Sequence, residues 1–278
     1  MRAVDRTGAG ISLDRLAGTV DQLGKPGFAA ALGDAAAGFI DFDNLIILAY
    51  SGAATPQELY RRFVSPVPYA QIEETYLTSH YVLDPFYAAH QQKVPRGLYR
   101  LEDVAPDKFR ATTYFTEYYQ RTTLVDELAL FAYTATGWTI TACFARDHTS
   151  GKRFERRQIE LFAKVARTLS ALMEQHWAHL NPPKATLAPQ KRDIIADLAH
   201  QLQTRHDISL TPRQVEVGLL ILRGHSSRSA ALTLGISWQT VKVFRKQLYS
   251  RCGVSSQAEL FAILLPLIGE TQPMAELA

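Results

Sequence analysis

Ser237-Trp238-Gln239-Thr240-Val241-Lys242-Val243-Phe244-Arg245-Lys246-Gln247-Leu248-Tyr249-Ser250-Arg251-Cys252-Gly253 carries a start signal, a stop signal and a helical pattern between them. Serine caps helix N-termini, because its hydroxyl accepts from the orphan backbone N–H groups of the first turn. Gly253 is the residue type that ends a helix in the left-handed conformation. Between them Val241, Phe244, Leu248 and Cys252 recur every three or four residues and mark one apolar face. Gln239, Lys242, Val243, Lys246 and Ser250 project from the other side. The stretch predicts a helix over 238–252 with a buried edge and a basic outward edge.

The same punctuation repeats on both sides of it. Thr211 suits an N-cap, Pro212 the first turn, and Gly224 the stop of a helix over 212–223, with Val215, Leu219, Leu220 and Leu222 at buried positions. Ser227 is placed to cap a short helix over 228–234, ended by Gly235. Ser255 or Ser256 is placed to cap a fourth over 257–268. A short helix, a tight Gly-containing turn and a capped longer helix make the helix-turn-helix arrangement. Its second helix enters the major groove with N-terminal residues at the base edges. Residues 208–268 contain seven Lys and Arg against two Asp and Glu, a net +5, which leaves −2 for the remainder of a chain of net +3. A basic helical module is either a solvated face or a phosphate contact. Cations gathered on the outward edge of the third helix favour the second. Lys donates to guanine or phosphate, Gln pairs with adenine, and Thr240 and Val243 are able to touch thymine methyls.

The run Leu210-Thr211-Pro212-Arg213-Gln214-Val215-Glu216-Val217, then Gly224, Gly235-Ile236-Ser237, Thr240-Val241-Lys242-Val243 and Gly253-Val254-Ser255-Ser256-Gln257-Ala258-Glu259, resembles the LuxR-type helix-turn-helix domain of bacterial transcription factors. The resemblance spans both turns and all four helices. It implies that Thr240-Val241-Lys242-Val243 opens the recognition helix. Lys242, Val243 and Lys246 are then the expected DNA contacts, with Thr240 and Arg245 on the phosphate side and Gln239 beside them. Gly218 stands where the family usually has a leucine, and costs its helix roughly 1 kcal/mol relative to Ala. Phe244 replaces a usual histidine, and Ala230 and Leu232 replace a usual isoleucine and a usual acid. The expected partner is double-stranded DNA. A single helix-turn-helix contacts few bases, so a homodimer reading two half-sites is expected. RNA polymerase is a further expected contact.

At about 150 residues per domain, 278 residues suggest two domains. Asn181-Pro182-Pro183-Lys184-Ala185-Thr186-Leu187-Ala188-Pro189-Gln190 reads as a linker, since its three prolines oppose helix. Ile194, Ile195, Leu198 and Leu202 then mark a short amphipathic helix. The expected division is 1–180 as a sensor or dimerisation domain, 181–207 as a linker with a short helix, and 208–270 as the DNA-binding domain. The expected fold class is an α+β N-terminal domain, an antiparallel sheet flanked by helices, plus an all-α four-helix C-terminal domain. Residues 43–50 read as a buried strand, and 128–135 and 138–145 as a hairpin about Thr136-Gly137. On the second hairpin strand Trp138, Ile140, Ala142 and Phe144 share one face, and the smaller Thr139, Thr141, Cys143 and Ala145 the other. Helices are predicted over 69–80, 106–119 and 154–179. The last carries the stripe Ile159, Phe162, Ala166, Leu169, Met173 and Trp177. This order of elements resembles GAF- or PAS-like sensor domains at the level of architecture.

Nine of the 12 tyrosines fall between Tyr69 and Tyr133, and that concentration points to a small-molecule pocket. Tyrosine combines apolar area with one hydrogen-bonding tip. The expected ligand-facing residues are Tyr76, Tyr81, Asp84, Phe86 and Tyr99, and the expected partner there is a small-molecule effector. Tyr76, Tyr81 and Asp84-Pro85-Phe86 also resemble the ligand-facing Tyr and Asp-Pro segment of autoinducer-binding LuxR-type regulators, without the tryptophan that those place ahead of the tyrosine. Asp84 either orients a ligand donor or caps the turn before Pro85. The alternative is an N-terminal domain used only for dimerisation or protein contacts.

Other classes fit poorly. Cys143 and Cys252 are too few for a disulfide framework or a Cys-rich zinc site, and suit a reducing compartment. No apolar run of signal-peptide length opens the chain, and none reaches the ~20 residues that span a bilayer. A cytoplasmic protein without membrane contact is expected. Asp41 and Asp43 precede the first strand, whereas a phosphorylated receiver needs its acidic pair after it. His176 and His179 lack a third metal ligand, Cys143 lacks a diagnostically spaced His, and Gly8 to Gly10 follow no strand. No catalytic residue, metal or cofactor is expected.

Overall fold

The computed structural model describes residues 7–64, 72–181 and 194–270. Tyr69 and the Pro-rich stretch from Pro182 onward lie outside the described residues. Five antiparallel strands, β1 (Asn44–Tyr50), β2 (Gln57–Phe63), β3 (Gly97–Arg100), β4 (Leu124–Tyr133) and β5 (Thr139–Asp147), form one sheet in the order β2-β1-β5-β4-β3. The predicted hairpin is β4–β5. Its turn closes through Thr134 N–H to Trp138 O at 2.9 Å, with Gly137 at φ +91°. Glycine reaches that left-handed region without a Cβ clash.

Period-two alternation sends successive side chains of the sheet into two cores. Leu45, Ile47, Leu128, Leu130, Ile140, Ala142 and Phe144 pack toward α2 (Phe28–Ala36) and α6 (Arg156–His176). On α6 the predicted stripe of Phe162, Ala166, Leu169 and Met173 is the buried face. Leu48, Tyr50, Ala129, Phe131 and Cys143 face the other way, toward Tyr76, Tyr81, Val82, Phe86 and Tyr87. The sheet is therefore covered on both sides, and its small-residue face looks into a tyrosine-rich layer. α1 (Thr7–Asp21) packs on α2.

The two shorter predicted helices are interrupted. Residues 72–119 form α3 (Ile72–Thr75), a 3₁₀ turn His80–Leu83, α4 (Pro85–Gln91), β3, α5 (Leu101–Val104), a 3₁₀ turn Phe109–Ala111 and a π-helical turn Phe115–Tyr119. Pro85 holds Asp84 extended, at φ −71° and ψ 130°. Thr112 breaks the second segment: its hydroxyl donates to Phe109 O at 2.7 Å and accepts from Phe115 N–H at 3.0 Å. Such side-chain bonds offer the backbone an alternative to the helical ladder.

The C-terminal part is helical throughout: α7 (Ile194–His206), α8 (Pro212–Arg223), α9 (Ser227–Leu234), α10 (Trp238–Cys252) and α11 (Gln257–Glu270). Leu198, Leu202, Val215, Leu248, Leu260 and Leu264 are buried among them. A Cβ on Gly218 would lie 3.2 Å from Leu248 Cδ2 and 3.6 Å from Leu264 Cδ1. The close approach of α8 to α10 and α11 means that Leu248 would have to shift by a few tenths of an ångström to admit a larger residue there.

These helices dock on the sheet domain. Arg223 Nε donates to Val82 O at 3.0 Å, Lys108 N–H to Gly224 O at 2.8 Å, and Ser226 N–H to Asp107 Oδ1 at 2.9 Å. Among the described residues no single helix is long and apolar enough to cross a membrane.

Candidate DNA-binding face and ligand cavity

Local capping fixes the helix-turn-helix. Thr211 and Gln214 form a reciprocal capping box on α8. Ser226, one residue before the predicted Ser227, caps α9 through Ser229 N–H, and Ser237 caps α10 through Thr240 N–H at 3.0 Å. Gly224, Gly235 and Gly253 end the three helices in the left-handed region, at φ +98°, +64° and +65°.

On α10 Val241 and Leu248 are buried, while Gln239, Lys242, Val243, Arg245 and Lys246 are exposed. The Thr240 hydroxyl lies 2.8 Å from that of Ser237 and belongs to the cap. Lys242 Nζ stands 4.3 Å from the centroid of the Trp238 ring, and the Arg245 guanidinium 5.1 Å from that of Tyr249. Cation–π contact of this kind holds a long side chain near one orientation. The face thus offers cations for phosphates and base edges beside exposed apolar surface on Val243 and Trp238. Trp238 was not among the expected contacts, although its place directly after the Ser237 cap identifies it as a first-turn residue.

Behind the small-residue face of the sheet lies a cavity of about 40 Å³, lined by Asn44, Tyr76, Asp84, Tyr118, Tyr119, Glu127 and Cys143 together with apolar neighbours. Asp84 Oδ1 accepts from Phe86 N–H at 2.7 Å and so caps α4. Its Oδ2 accepts from the Tyr76 hydroxyl at 2.6 Å, which lies 3.2 Å from the Tyr50 hydroxyl. The same carboxylate therefore caps the turn and lines the cavity. Glu127 Oε2 accepts from the Tyr119 hydroxyl at 2.7 Å. Burial pushes the Asp84 carboxyl up to about 6. Burial, then the nearby charge of Asp84, pushes Glu127 up to about 8.

Of the expected ligand-facing residues, Tyr76 and Asp84 line this cavity. Tyr81 packs edge-on against Tyr87 at 4.9 Å, and Phe86 and Tyr99 pack against Phe131 at 6.2 and 5.4 Å. These three rings belong to the aromatic core beside it. Glu127 was missed because the strand was expected to start at 128. Extending the alternation of Ala129 and Phe131 back by one step finds it.

A second, larger groove of about 450 Å³ runs between the sheet domain and α11, with Ile72, His80, Tyr118 and Arg121 on one wall and Phe261 and Leu265 on the other. Ile72 and Tyr118 line both spaces. Among the described residues no group of three His, Cys, Asp or Glu side chains is placed to hold a metal. His176 Nδ1 instead accepts from Gly24 N–H at 3.0 Å, and its ring stacks on Phe28 at 4.0 Å.

The two raised carboxyls set a pH dependence. An acid whose folded pKa exceeds its unfolded value stabilises the fold fully below the unfolded pKa, and that stability is lost as pH rises through the folded pKa. Glu127, moving from 4.5 to about 8, makes the fold less stable between those limits, by up to about 1.4 kcal/mol per pH unit. Glu127→Gln is expected to flatten the fall in melting temperature between pH 5 and pH 8, measured by thermal denaturation, and to raise the midpoint at pH 8. A variant with the wild-type pH profile would show that Glu127 does not titrate there.

Residues 208–264 match the family model described as bacterial regulatory proteins, luxR family. A protein of Aeromonas salmonicida, named as an HTH-type transcriptional regulator in the exeN 3′ region, is 28% identical over 185 residues, which cover 66% of this chain and 93% of that protein. Among solved structures, the VqsR LBD domain from Pseudomonas aeruginosa superimposes with a TM-score of 0.50 at 24% identity, over 59% of this chain and 94% of that one. That is a likeness of fold. Escherichia coli SdiA gives a TM-score of 0.34 at 15% identity, over 82% of this chain and 85% of its own.

Proposed function

From a chain whose residues 208–264 are the helix-turn-helix DNA-binding domain of luxR-family bacterial regulatory proteins, we propose a cytoplasmic transcription regulator whose α10 reads operator DNA and whose sheet domain senses a small molecule. Lys242, Val243 and Lys246 are the reading residues, with Gln239 at base edges and Thr240 and Arg245 toward phosphates. Residues 1–180 form the sensor, 181–207 the connection and 208–270 the reader. The working unit is a homodimer on two half-sites, and RNA polymerase is its further partner.

The observation that carries this reading is the basic edge of a fully capped α10, whose Lys242, Arg245 and Lys246 take no part in the core of their own domain. Coupling between sensor and reader has a short path. Asp84 lines the cavity, and Val82, two residues earlier, holds Arg223 at the C-terminal end of α8 through its carbonyl. A ligand that moves residues 82–84 moves the anchor of the helix-turn-helix.

Denaturing mass analysis of small molecules that co-purify with the full chain, followed by their addition to protein in thermal denaturation, tests the sensor. A true ligand stabilises the fold by about 2.7 kcal/mol at a hundredfold excess over Kd and changes operator affinity. A blank analysis would overturn the sensor and favour a second reading, suggested by the small volume of the cavity, in which the sheet domain serves only dimerisation.

A further inference from the structure

We propose that Trp238 is a specificity-determining residue of the DNA-reading face, and that with Lys242 it selects a thymine beside a guanine in each half-site. The inference rests on the reading of operator DNA by α10 and names two of the bases read. Trp238 and Val243 are large apolar side chains left 41% and 52% exposed on that helix. Among the described residues the helical core takes in their neighbours Ile236 and Phe244, and neither of these two. Exposed apolar surface that is contiguous and rimmed by polar residues marks a binding site. Trp238 and Val243 share the outward side of α10 with Lys242 and Lys246. Their partner therefore carries acceptors for cations beside apolar groups, and the major groove of DNA offers that mixture.

The first turn places the ring. Ser237 caps α10, so Trp238 is its first residue, and the leading residues of a recognition helix are those that reach base edges. Lys242 follows one turn later on the same side, with its Nζ 4.3 Å from the centroid of the indole. Successive base pairs stack about 3.4 Å apart. A cation and a ring held at nearly that separation are able to meet two neighbouring pairs at once. The cation–π contact orders both side chains before DNA arrives, so less of their freedom is lost on binding.

Base chemistry then assigns the two positions. An ammonium donates hydrogen bonds and accepts none. Guanine presents two acceptors in the major groove, N7 and O6, where thymine presents only O4. The N4 amine of cytosine and the N6 amine of adenine are donors, which an ammonium does not match. Guanine is therefore the base for Lys242. The indole offers apolar area, and the apolar group on the major-groove edges is the C5-methyl of thymine. Thymine is therefore the base for Trp238.

The test uses the full-length chain and the duplex that it enriches from a random pool. That duplex is expected to carry a thymine next to a guanine in each half-site. A copy with uracil in place of that thymine lacks only the C5-methyl, and wild-type protein is expected to bind it about fourfold more weakly for each methyl removed. Trp238→Ala is expected to bind the thymine and uracil duplexes equally, and both more weakly than the wild-type protein binds the thymine duplex. Equal binding of the two duplexes by wild-type protein would overturn the inference, and that comparison needs no variant to fold. A Trp238→Ala protein that still prefers thymine would overturn it as well, because another side chain then reads the methyl. A motif lost by the Lys242→Ala, Lys246→Ala protein but indifferent to uracil removes this inference alone. A pool that yields no motif removes operator reading by α10 and this inference with it.

Discussion

The double variant Lys242→Ala, Lys246→Ala is expected to keep its fold and lose specific DNA binding. Both side chains are exposed on α10, and neither contributes to the buried edge of Val241 and Leu248. Each phosphate contact removed flattens the dependence of log affinity on log salt by about 0.9. Two such contacts predict a slope shallower by nearly two units. If either lysine reads a base, about 1–3 kcal/mol of discrimination is lost as well, roughly a fivefold to 150-fold fall in specific affinity. Lys242 carries an additional expectation, because its ammonium rests over the Trp238 ring. Removing that ring should free the lysine and weaken binding without changing net charge, so Trp238→Ala should lower affinity while leaving the salt slope near its wild-type value. Titrations across salt concentrations separate the two effects, and unchanged binding by the double variant would remove α10 from the interface.

Gly224→Ala is expected to have the second large effect, on stability and on domain docking together. Gly224 adopts φ +98°, and a Cβ there would stand 2.6 Å from Phe109 Cα and 2.7 Å from Phe109 N. Both are backbone atoms, so no side-chain rotation relieves the overlap. The left-handed conformation alone costs an L-residue about 1–2 kcal/mol, and overpacking adds typically 1–3 kcal/mol. Gly235 is the internal control. It has φ +64° and nothing within 4 Å of a built Cβ, so Gly235→Ala bears only the conformational cost. Urea denaturation of the full chain should therefore place Gly224→Ala below Gly235→Ala by about 1–3 kcal/mol. The contacts at risk are those of Lys108 with Gly224 and Asp107 with Ser226. Equal destabilisation by the two variants would mean that the helix-turn-helix does not rest on residues 107–109 in solution.

Features governed by neighbours in sequence were the legible ones. Thr211, Ser237, Gly224, Gly235 and Gly253 announce helix ends because capping is chemistry within one turn. The β4–β5 hairpin and α6 follow from period-two and helical alternation in strongly apolar stretches. β2, with Arg61 and Arg62 on an edge of the sheet, and the four-residue β3 carry too little apolar pattern to stand out. Charged side chains on an edge strand oppose pairing with another chain, and the same charges hide the strand from a search for apolar runs. The interruption at Thr112 depends on a hydroxyl choosing backbone partners, which composition does not reveal.

The cavity was half legible for a related reason. A concentration of tyrosines locates an aromatic layer, but which ring borders empty space depends on where short helices start and stop. Tyr76 and Asp84 border it, whereas Tyr81 and Phe86, only a few residues away, fill the core. The anchor between Arg223 and Val82 joins residues 141 positions apart and has no local signature in either segment.

Reading of operator DNA by α10 is tested most directly by selecting fragments from a random duplex pool with the full-length chain and sequencing what is retained. The predicted result is an enriched motif of two symmetric half-sites about one helical turn apart, with no enrichment by the Lys242→Ala, Lys246→Ala protein. A pool that stays unenriched, or the same motif recovered by the double variant, would contradict it.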